Sequence, residues 1–238
     1  MKVGEKMSEL KNKKILCFDL DGTLAQVSKG ASEKTVKLLK KLENNGNIIC
    51  IASGKPCYYL CGFVRQLELT NPILVGENGG AFMEGMELPP KVFKIEQIDE
   101  KLIDSLQKIK SLIKKELPNL FYQPNEIALT PFFKNDEERL KIEDIIRENK
   151  DLLDGLQIFR HIDSFDFMPP GINKFSGLKN VSEYLNIGRE NFIAIGDGEN
   201  DIPMFQFCSE SFGVNFDKAD KSFSTIEELL EFLVTRYC

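Results

Sequence analysis

Short apolar runs that each break off into a polar residue and a glycine turn constrain this chain more tightly than any other feature. Residues 14–19 (KILCFD) end in an acid and lead into Asp21-Gly22-Thr23, residues 47–52 end at Ser53-Gly54, and residues 192–195 end at Gly196-Asp197. Continuous apolar runs of this length belong to strands buried on both faces, and such strands are found in parallel sheets covered by helices on either side. The segments between them have the matching helical period. Ser32 caps a helix with Thr35, Leu38, Leu39 and Leu42 on one stripe and Gly46 as its stop signal; a second helix covers 57–67 and a third strand 73–75. Strand, helix, strand, helix, strand implies right-handed crossovers and a parallel sheet.

The same rhythm returns near the C-terminus. A helix through Leu178, Val181 and Leu185 stops at Gly188, strand 192–195 follows, then a short helix from about Asn200 and a last strand at 212–214. The closing helix opens with a capping box, Thr225 and Glu228. The two halves read as one doubly wound α/β domain. From 84 to 168 the pattern changes. Pro89-Pro90 interrupts the chain, and a long amphipathic helix follows with Leu102, Leu106, Ile109 and Ile113 on one face. A strand-like stretch at 121–129, a charged helix at 136–149 and two strand-like pieces at 156–159 and 164–168 complete the segment. Roughly 85 residues suffice for a small α/β unit. The expected organisation is therefore a core of 1–83 and 169–238, with a smaller α/β unit of 84–168 inserted between the core's third and fourth strands.

The 31 basic and 37 acidic residues leave a net charge of -6, which repels a polyanion and argues against nucleic acid as a partner. An anionic small molecule stays open, because it needs only a few positive groups focused at one spot. No apolar run approaches the roughly 20 residues that cross a bilayer, and residues 1–14 lack the apolar centre of a secretory signal. A cytoplasmic protein without a membrane partner is expected. The six cysteines (17, 50, 57, 61, 208 and 238) are scattered through apolar stretches and read as reduced thiols packed like small hydrophobes. Zinc is disfavoured, because Cys57 and Cys61 have no nearby histidine and His161 is the only one in the chain.

In an open parallel sheet the carboxyl ends of the strands meet at one edge, where ligands bind. Three separate strand ends deliver polar residues there: Asp19 with Asp21, Ser53, and Asp197 with Asn200 and Asp201. One acid after one strand would read as a turn former; the coincidence of three points to a site. Converging carboxylates repel and raise their own pKa values unless a cation sits among them. Oxygen donors without imidazole or thiolate favour Mg²⁺. The remaining positive charge is assigned to Lys174, where Met168-Pro-Pro-Gly-Ile-Asn-Lys leads from the inserted segment into the first turn of a core helix. An ammonium there can steady both an aspartate and an incoming phosphate.

With these residues assembled, Asp19-Leu-Asp-Gly-Thr-Leu resembles the first motif of the haloacid dehalogenase superfamily of phosphohydrolases. Ser53 resembles its second motif, Lys174 its third, and Gly196-Asp-Gly-Glu-Asn-Asp-Ile-Pro-Met its fourth, in the GDxxND form typical of members with a large α/β cap. The resemblance covers both core halves, and the inserted segment matches a cap by position and size. It implies that Asp19 is the nucleophile of an aspartyl-phosphate mechanism and that Asp21 is the general acid and base. It further implies Mg²⁺ held by the carboxylates of Asp19 and Asp197 and the backbone carbonyl of Asp21, with Ser53 and Lys174 on the phosphate oxygens. Asp201 is counted with the metal group, and Asn200 with a substrate-binding group that takes in Gly54, Lys55 and Asn78; Asn200 and Asp201 order the metal's waters or pair with Lys174.

Lys55 stands where relatives often have Arg, and the stretch around Lys174 lacks the small residues common after the motif lysine. Glu77-Asn-Gly-Gly resembles a loop of cap-bearing relatives in which the Asn faces the substrate, and it reads equally as a glycine turn leaving the strand. This stretch and the GDxxNDxPMF form look most like archaeal-type phosphoglycolate phosphatases and sugar phosphate phosphatases such as sucrose phosphatase. A small phosphorylated metabolite is the implied substrate, selected mainly by the cap. Arg160 and His161 could meet a substrate carboxylate or hydroxyl, though His161 is read first as a solvent-facing strand residue. Two rival readings are a phosphomannomutase-like phosphotransferase and a phospho-aspartate signalling module; the latter kind lacks a cap and a second acid at the Asp21 position.

Overall fold

The computed structural model describes residues 13–238; the reading of 1–14 as a segment without a secretory signal falls largely outside the described residues. The chain divides into two compact units, one formed by the described residues up to Lys94 together with Asn173–Cys238, the other by Ile95–Ile172. In the first, β1 (Ile15–Phe18), α1 (Glu33–Asn44), β2 (Ile48–Ala52), α2 (Cys57–Gln66), β3 (Ile73–Gly76), β4 (Ala81–Glu84) and β5 (Val92–Ile95) precede the second unit. That unit holds α3 (Glu100–Glu116), β6 (Phe121–Tyr122), β7 (Pro131–Phe132), α4 (Asp136–Glu148), β8 (Gln157–Arg160) and β9 (Phe165–Met168). The first unit then resumes with α5 (Lys174–Leu185), β10 (Phe192–Gly196), α6 (Ile202–Phe207), β11 (Glu210–Val214), β12 (Lys221–Phe223) and α7 (Ile226–Tyr237).

The large sheet has the order β12-β11-β10-β1-β2-β3-β4-β5. Its neighbours from β12 to β3 are parallel, and β4 runs antiparallel to β3. β1 is central, and its four residues are buried. Because side chains alternate between faces, Leu16 and Phe18 pack with Leu39, Leu42, Leu229 and Leu233 of α1 and α7. Ile15 and Cys17 pack on the other face with Leu178, Val181, Met204 and Phe207 of α5 and α6. A strand covered on both faces can offer polar groups only at its ends, and this fixes where the chemistry of β1 must lie.

Local chemistry sets the helix ends. Ser32 accepts a bond from the Thr35 amide at the start of α1, and Asn173 caps α5 through the amides of Phe175 and Ser176 while Ser176 bonds back. The expected stop of α5 at Gly188 is corrected: the helix ends at Asn186, which takes the left-handed conformation at φ +53° that Asn tolerates. At α7, Thr225 accepts from the Glu228 amide, one half of the expected box.

Four strands lie outside the expected ones, among them the two-residue β7 just beyond 121–129. β4 and β5 flank the Pro89-Pro90 break that hid them, and β12 is three residues long. The strand-like stretch 121–129 shortens to β6, because the chain turns at once, the Asn125 amide donating to the Gln123 carbonyl at 2.9 Å. The core of the second unit joins Leu106, Ile109 and Ile113 of α3 and Ile142 of α4 to Phe165 and Phe167 of β9. Five cysteines are buried and Cys238, expected to be packed, is exposed; all six are free thiols. No described helix is long and apolar enough to cross a membrane.

Candidate active site

β10, β1, β2 and β3 are adjacent and parallel, so their carboxyl ends share one edge of the sheet. Asp19 is the first residue beyond β1, fixed by its amide donating to the Ile195 carbonyl of β10 at 2.8 Å. Lys174, at the first turn of α5, places its Nζ 2.5 Å from Asp19 Oδ1 and 2.6 Å from Asp201 Oδ1. All three side chains are buried, Lys174 to 1% exposure and Asp201 to 0%. The second oxygen of Asp201 accepts the amides of Asp197 and Gly198 at 2.9 and 3.1 Å. This carboxylate is thus a clamp that ties the lysine to the loop after β10.

Asp197 is half-buried. Its Oδ1 accepts the Thr23 hydroxyl at 2.6 Å, and its carboxylate lies against Gly22, where a Cβ would stand 2.1 Å from Oδ2 and where φ is +98°. Only glycine fits both demands. One oxygen from each of Asp19, Asp197 and Asp201 lies within 4.8 Å of the others. Burial pushes the Asp19 carboxyl up to about 7 despite the pull of Lys174, with Asp201 and Asp197 adding to the rise. Asp197 is likewise raised, by burial first and by Asp201, while the Thr23 hydroxyl pulls it down. Burial opposes the charge on Lys174, but the two aspartates outweigh it and hold its pKa at about 12. Two buried acids share one ammonium and a third, half-buried, lies beside them, so the cluster is short of positive charge. Its all-oxygen donor set fits a hard divalent cation.

A second group forms at the ends of β2 and β3. Ser53 is buried, its Oγ accepts the Lys55 amide at 3.2 Å, and its carbonyl accepts the Asn78 amide at 2.9 Å. The Asn78 carboxamide lies over Gly54, its Nδ2 being 3.2 Å from where a Cβ would stand. Glu77 and Asn78 both take positive φ, +52° and +53°, and Gly79 follows at +107°. Non-glycine residues held in this region mark a loop that its surroundings over-determine. The surroundings here include α5: a Cβ on Gly177 would stand 2.6 Å from the Gly79 Cα. The expectation that small residues are lacking after Lys174 is therefore corrected, since Gly177 lets the loop and the helix touch.

The sequence-derived residues thus fall into two sets. Asp19, Lys174, Asp197 and Asp201 form the carboxylate cluster, while Ser53 bonds to Lys55 and Asn78, and Gly54 lies beneath the Asn78 carboxamide. Asp21 lies half-buried in the loop after β1. Asn200 is exposed and its Oδ1 is turned toward Gly198. Sequence reasoning gave no role to Thr23, Gly177 or Asp166, whose partners are remote in the chain. Asp166 anchors a polar chain within the second unit: Thr130 Oγ1 donates to its Oδ1 at 2.7 Å, and His161 Nε2 lies 3.0 Å from its Oδ2. Asn125 donates to Thr130 and Gln123 to Asn125, at 2.9 and 2.8 Å. His161, though exposed, is thus engaged from one side by Asp166.

A family model described as haloacid dehalogenase-like hydrolase matches residues 16–153 and 91–222. The chain is 24% identical over 258 residues to the 5-amino-6-(5-phospho-D-ribitylamino)uracil phosphatase YitU of Bacillus subtilis, covering 90% of this chain and 93% of that one. It is 25% identical over 227 residues to a phosphoglycolate phosphatase of Archaeoglobus fulgidus, covering 91% and 89%. A solved haloacid dehalogenase-like hydrolase from Bacteroides thetaiotaomicron has a similar fold, with a TM-score of 0.70 at 20% identity over 93% of this chain and 100% of that one.

Proposed function

The chain belongs to the haloacid dehalogenase-like hydrolases and is a phosphoric monoester hydrolase, and on that premise we propose that it dephosphorylates a small metabolite through an aspartyl phosphate on Asp19, with Mg²⁺ as cofactor. The observation that carries this reading is the buried Lys174 bridging Asp19 and Asp201 with Asp197 alongside. Asp19 is the attacking group, since it leaves the central strand with one oxygen fixed by Lys174. Its attack on phosphorus forms the Asp19 Oδ–P bond and breaks the bond from phosphorus to the substrate oxygen. Asp21, two residues on and less buried, gives that oxygen its proton and later takes one from the water that cleaves the acyl phosphate.

The lysine ammonium stays charged throughout and bears on both Asp19 and the phosphoryl oxygens, where charge develops. Ser53, presented by the taut loop pair at the ends of β2 and β3, is the hydroxyl donor to the phosphate; Gly54, Lys55 and Asn78 line the same side, and Asn200 stands at the exposed end. Asp19, Asp197 and the Asp21 carbonyl would hold Mg²⁺, and Asp201 would act on it through its grip on the 197–198 amides. When bound, the ion neutralises the excess carboxylate charge and polarises a phosphoryl oxygen.

The segment Ile95–Ile172 is assigned the cap role of selecting the leaving group. Sugar or polyol phosphates and phosphoglycolate are the candidate substrates. The relatives' names support both: one acts on a phosphorylated ribityl compound and the other on phosphoglycolate. A screen of sugar phosphates, a phosphorylated ribitylaminouracil and phosphoglycolate, each with Mg²⁺ and with a chelator, tests the reading. Phosphate release that needs the ion and disappears in Asp19→Asn supports it. Release in Asp19→Asn at the unaltered rate rejects Asp19 as nucleophile, and transfer to a second sugar without phosphate release would favour the mutase reading.

A further inference from the structure

Thr23 is a buried polar residue, at 3% exposure, and the aspartyl-phosphate scheme gives it no task. Its hydroxyl is 2.6 Å from Asp197 Oδ1, a contact across 174 positions of sequence that ties the loop after β1 to the loop after β10. We propose that Thr23 is a positioning residue: it holds the Asp197 carboxylate in the orientation that lets this side chain serve the cation. The inference rests on the reading of Asp197 as a metal ligand and goes beyond it by naming what aims that ligand.

A half-buried aspartate on a loop can rotate about both side-chain torsions, and each orientation lost on binding a cation weakens binding. Here three features remove that freedom in advance. Gly22 has no Cβ, so the carboxylate can lie flat against the chain, where any side chain would collide at 2.1 Å. The loop that carries Thr23 is itself closed, the Gly22 amide donating to the Ala25 carbonyl at 2.8 Å and the Ala25 amide to the Leu20 carbonyl at 3.1 Å. Threonine is β-branched and stiff about χ1, so its hydroxyl is aimed by the backbone. A hydroxyl that donates to one carboxylate oxygen leaves the other free to bind, and it adds no competing charge. Amides of Asp197 and Gly198 fixed by Asp201 complete the hold from the far side. Outer partners of this kind are worth about 10–100-fold in metal affinity.

The test compares the full-length chain with Thr23→Val, which keeps the shape and removes the donor, and Thr23→Ser, which keeps the donor. Affinity for Mn²⁺, a spectroscopic substitute for Mg²⁺, is read by electron paramagnetic resonance without substrate. The Mg²⁺ dependence of phosphate release is read separately. Thr23→Val is expected to weaken Mn²⁺ binding about 10-fold or more and to raise the Mg²⁺ needed for half-maximal rate by the same factor. Its rate at saturating Mg²⁺ should return close to that of the unaltered chain, and Thr23→Ser should recover most of the affinity. Thr23→Ala replaces the valine variant if valine prevents folding. Asp197→Ala separates the ligand role of Asp197 from the positioning role of Thr23. If that variant binds Mn²⁺ normally, Asp197 is no ligand and the underlying reading falls. If it loses the ion while Thr23→Val and Thr23→Ala bind as tightly as the unaltered chain, the positioning role is overturned.

Discussion

Asp19 in the first unit and Asp166 in the second are both buried aspartates at a strand or its end, yet they are provisioned in opposite ways. Each oxygen of Asp166 faces a partner of its own, a threonine hydroxyl on one and a histidine nitrogen on the other. Asp19 shares its lysine with Asp201 and has Asp197 beside it, so burial raises its pKa to about 7. A satisfied polar network holds a fold together and asks for nothing more. A cluster with more acids than cations is strained until an ion or a phosphate-binding partner arrives, and sites that do chemistry carry this kind of imbalance.

The contrast can be broken most forcefully at Lys174. Lys174→Met should lower the rate of phosphate release by about 10²–10³-fold and cost roughly 3–5 kcal/mol of stability by leaving buried carboxylates without their counter-charge. Steady-state kinetics and chemical denaturation measure the two effects. A variant with full activity and an unchanged midpoint would mean that the lysine neither steadies nor assists Asp19.

A smaller effect, of opposite sign in the two regions, sharpens the comparison. Asp166→Ala should lose about 1–3 kcal/mol, because Thr130 and His161 are left facing an apolar methyl. Asp19→Asn in metal-free solution should keep or gain stability, since it relieves repulsion among three acids. Thermal midpoints of the two variants without metal decide the matter; equal losses would mean that Asp19 is as well satisfied as Asp166.

The smallest expected effect is one of pH. An ordinary aspartate loses its proton near pH 4, whereas folded Asp19 holds it to about 7. Between these values the folded chain binds a proton that the unfolded chain has released. Its contribution is most favourable below about pH 4 and is lost as pH rises through 7. The gain in thermal midpoint on adding Mg²⁺ should therefore be larger at pH 8 than at pH 5.5. The same gain at both would show that Asp19 is ionised across the range.

How much of this was legible in the sequence follows from the range of the interactions. Strand-end residues such as Asp19, Ser53 and Asp197 could be placed because burial on both faces makes a run of apolar letters that stops where the strand stops. Lys174 was legible through its position at a helix start. Thr23 and Asp197 are 174 residues apart, and Thr130 and Asp166 are 36 apart; no local pattern announces which hydroxyl meets which carboxylate. The edge strands β5 and β12 escaped because none of their residues is buried, β7 because it has only two residues, and β4, three-quarters buried, because it follows β3 across a four-residue turn and leads into the Pro89-Pro90 break. The stretch 121–129 pairs only at its two ends, as β6 and as a single bridge from Leu129 to Phe167, because a turn at Asn125 and a hydrophobic anchor at Ile127 interrupt the ladder between them.

The central claim is that the phosphoryl group passes through Asp19, and trapping it there is the most direct measurement. The chain is mixed with excess aryl phosphate and Mg²⁺, quenched in acid within one turnover, digested and weighed peptide by peptide. A phosphoryl group on the peptide that contains Asp19, absent in Asp19→Asn, is the predicted result. Turnover that proceeds with the group found on Ser53, or on no residue at any quench time, would contradict it.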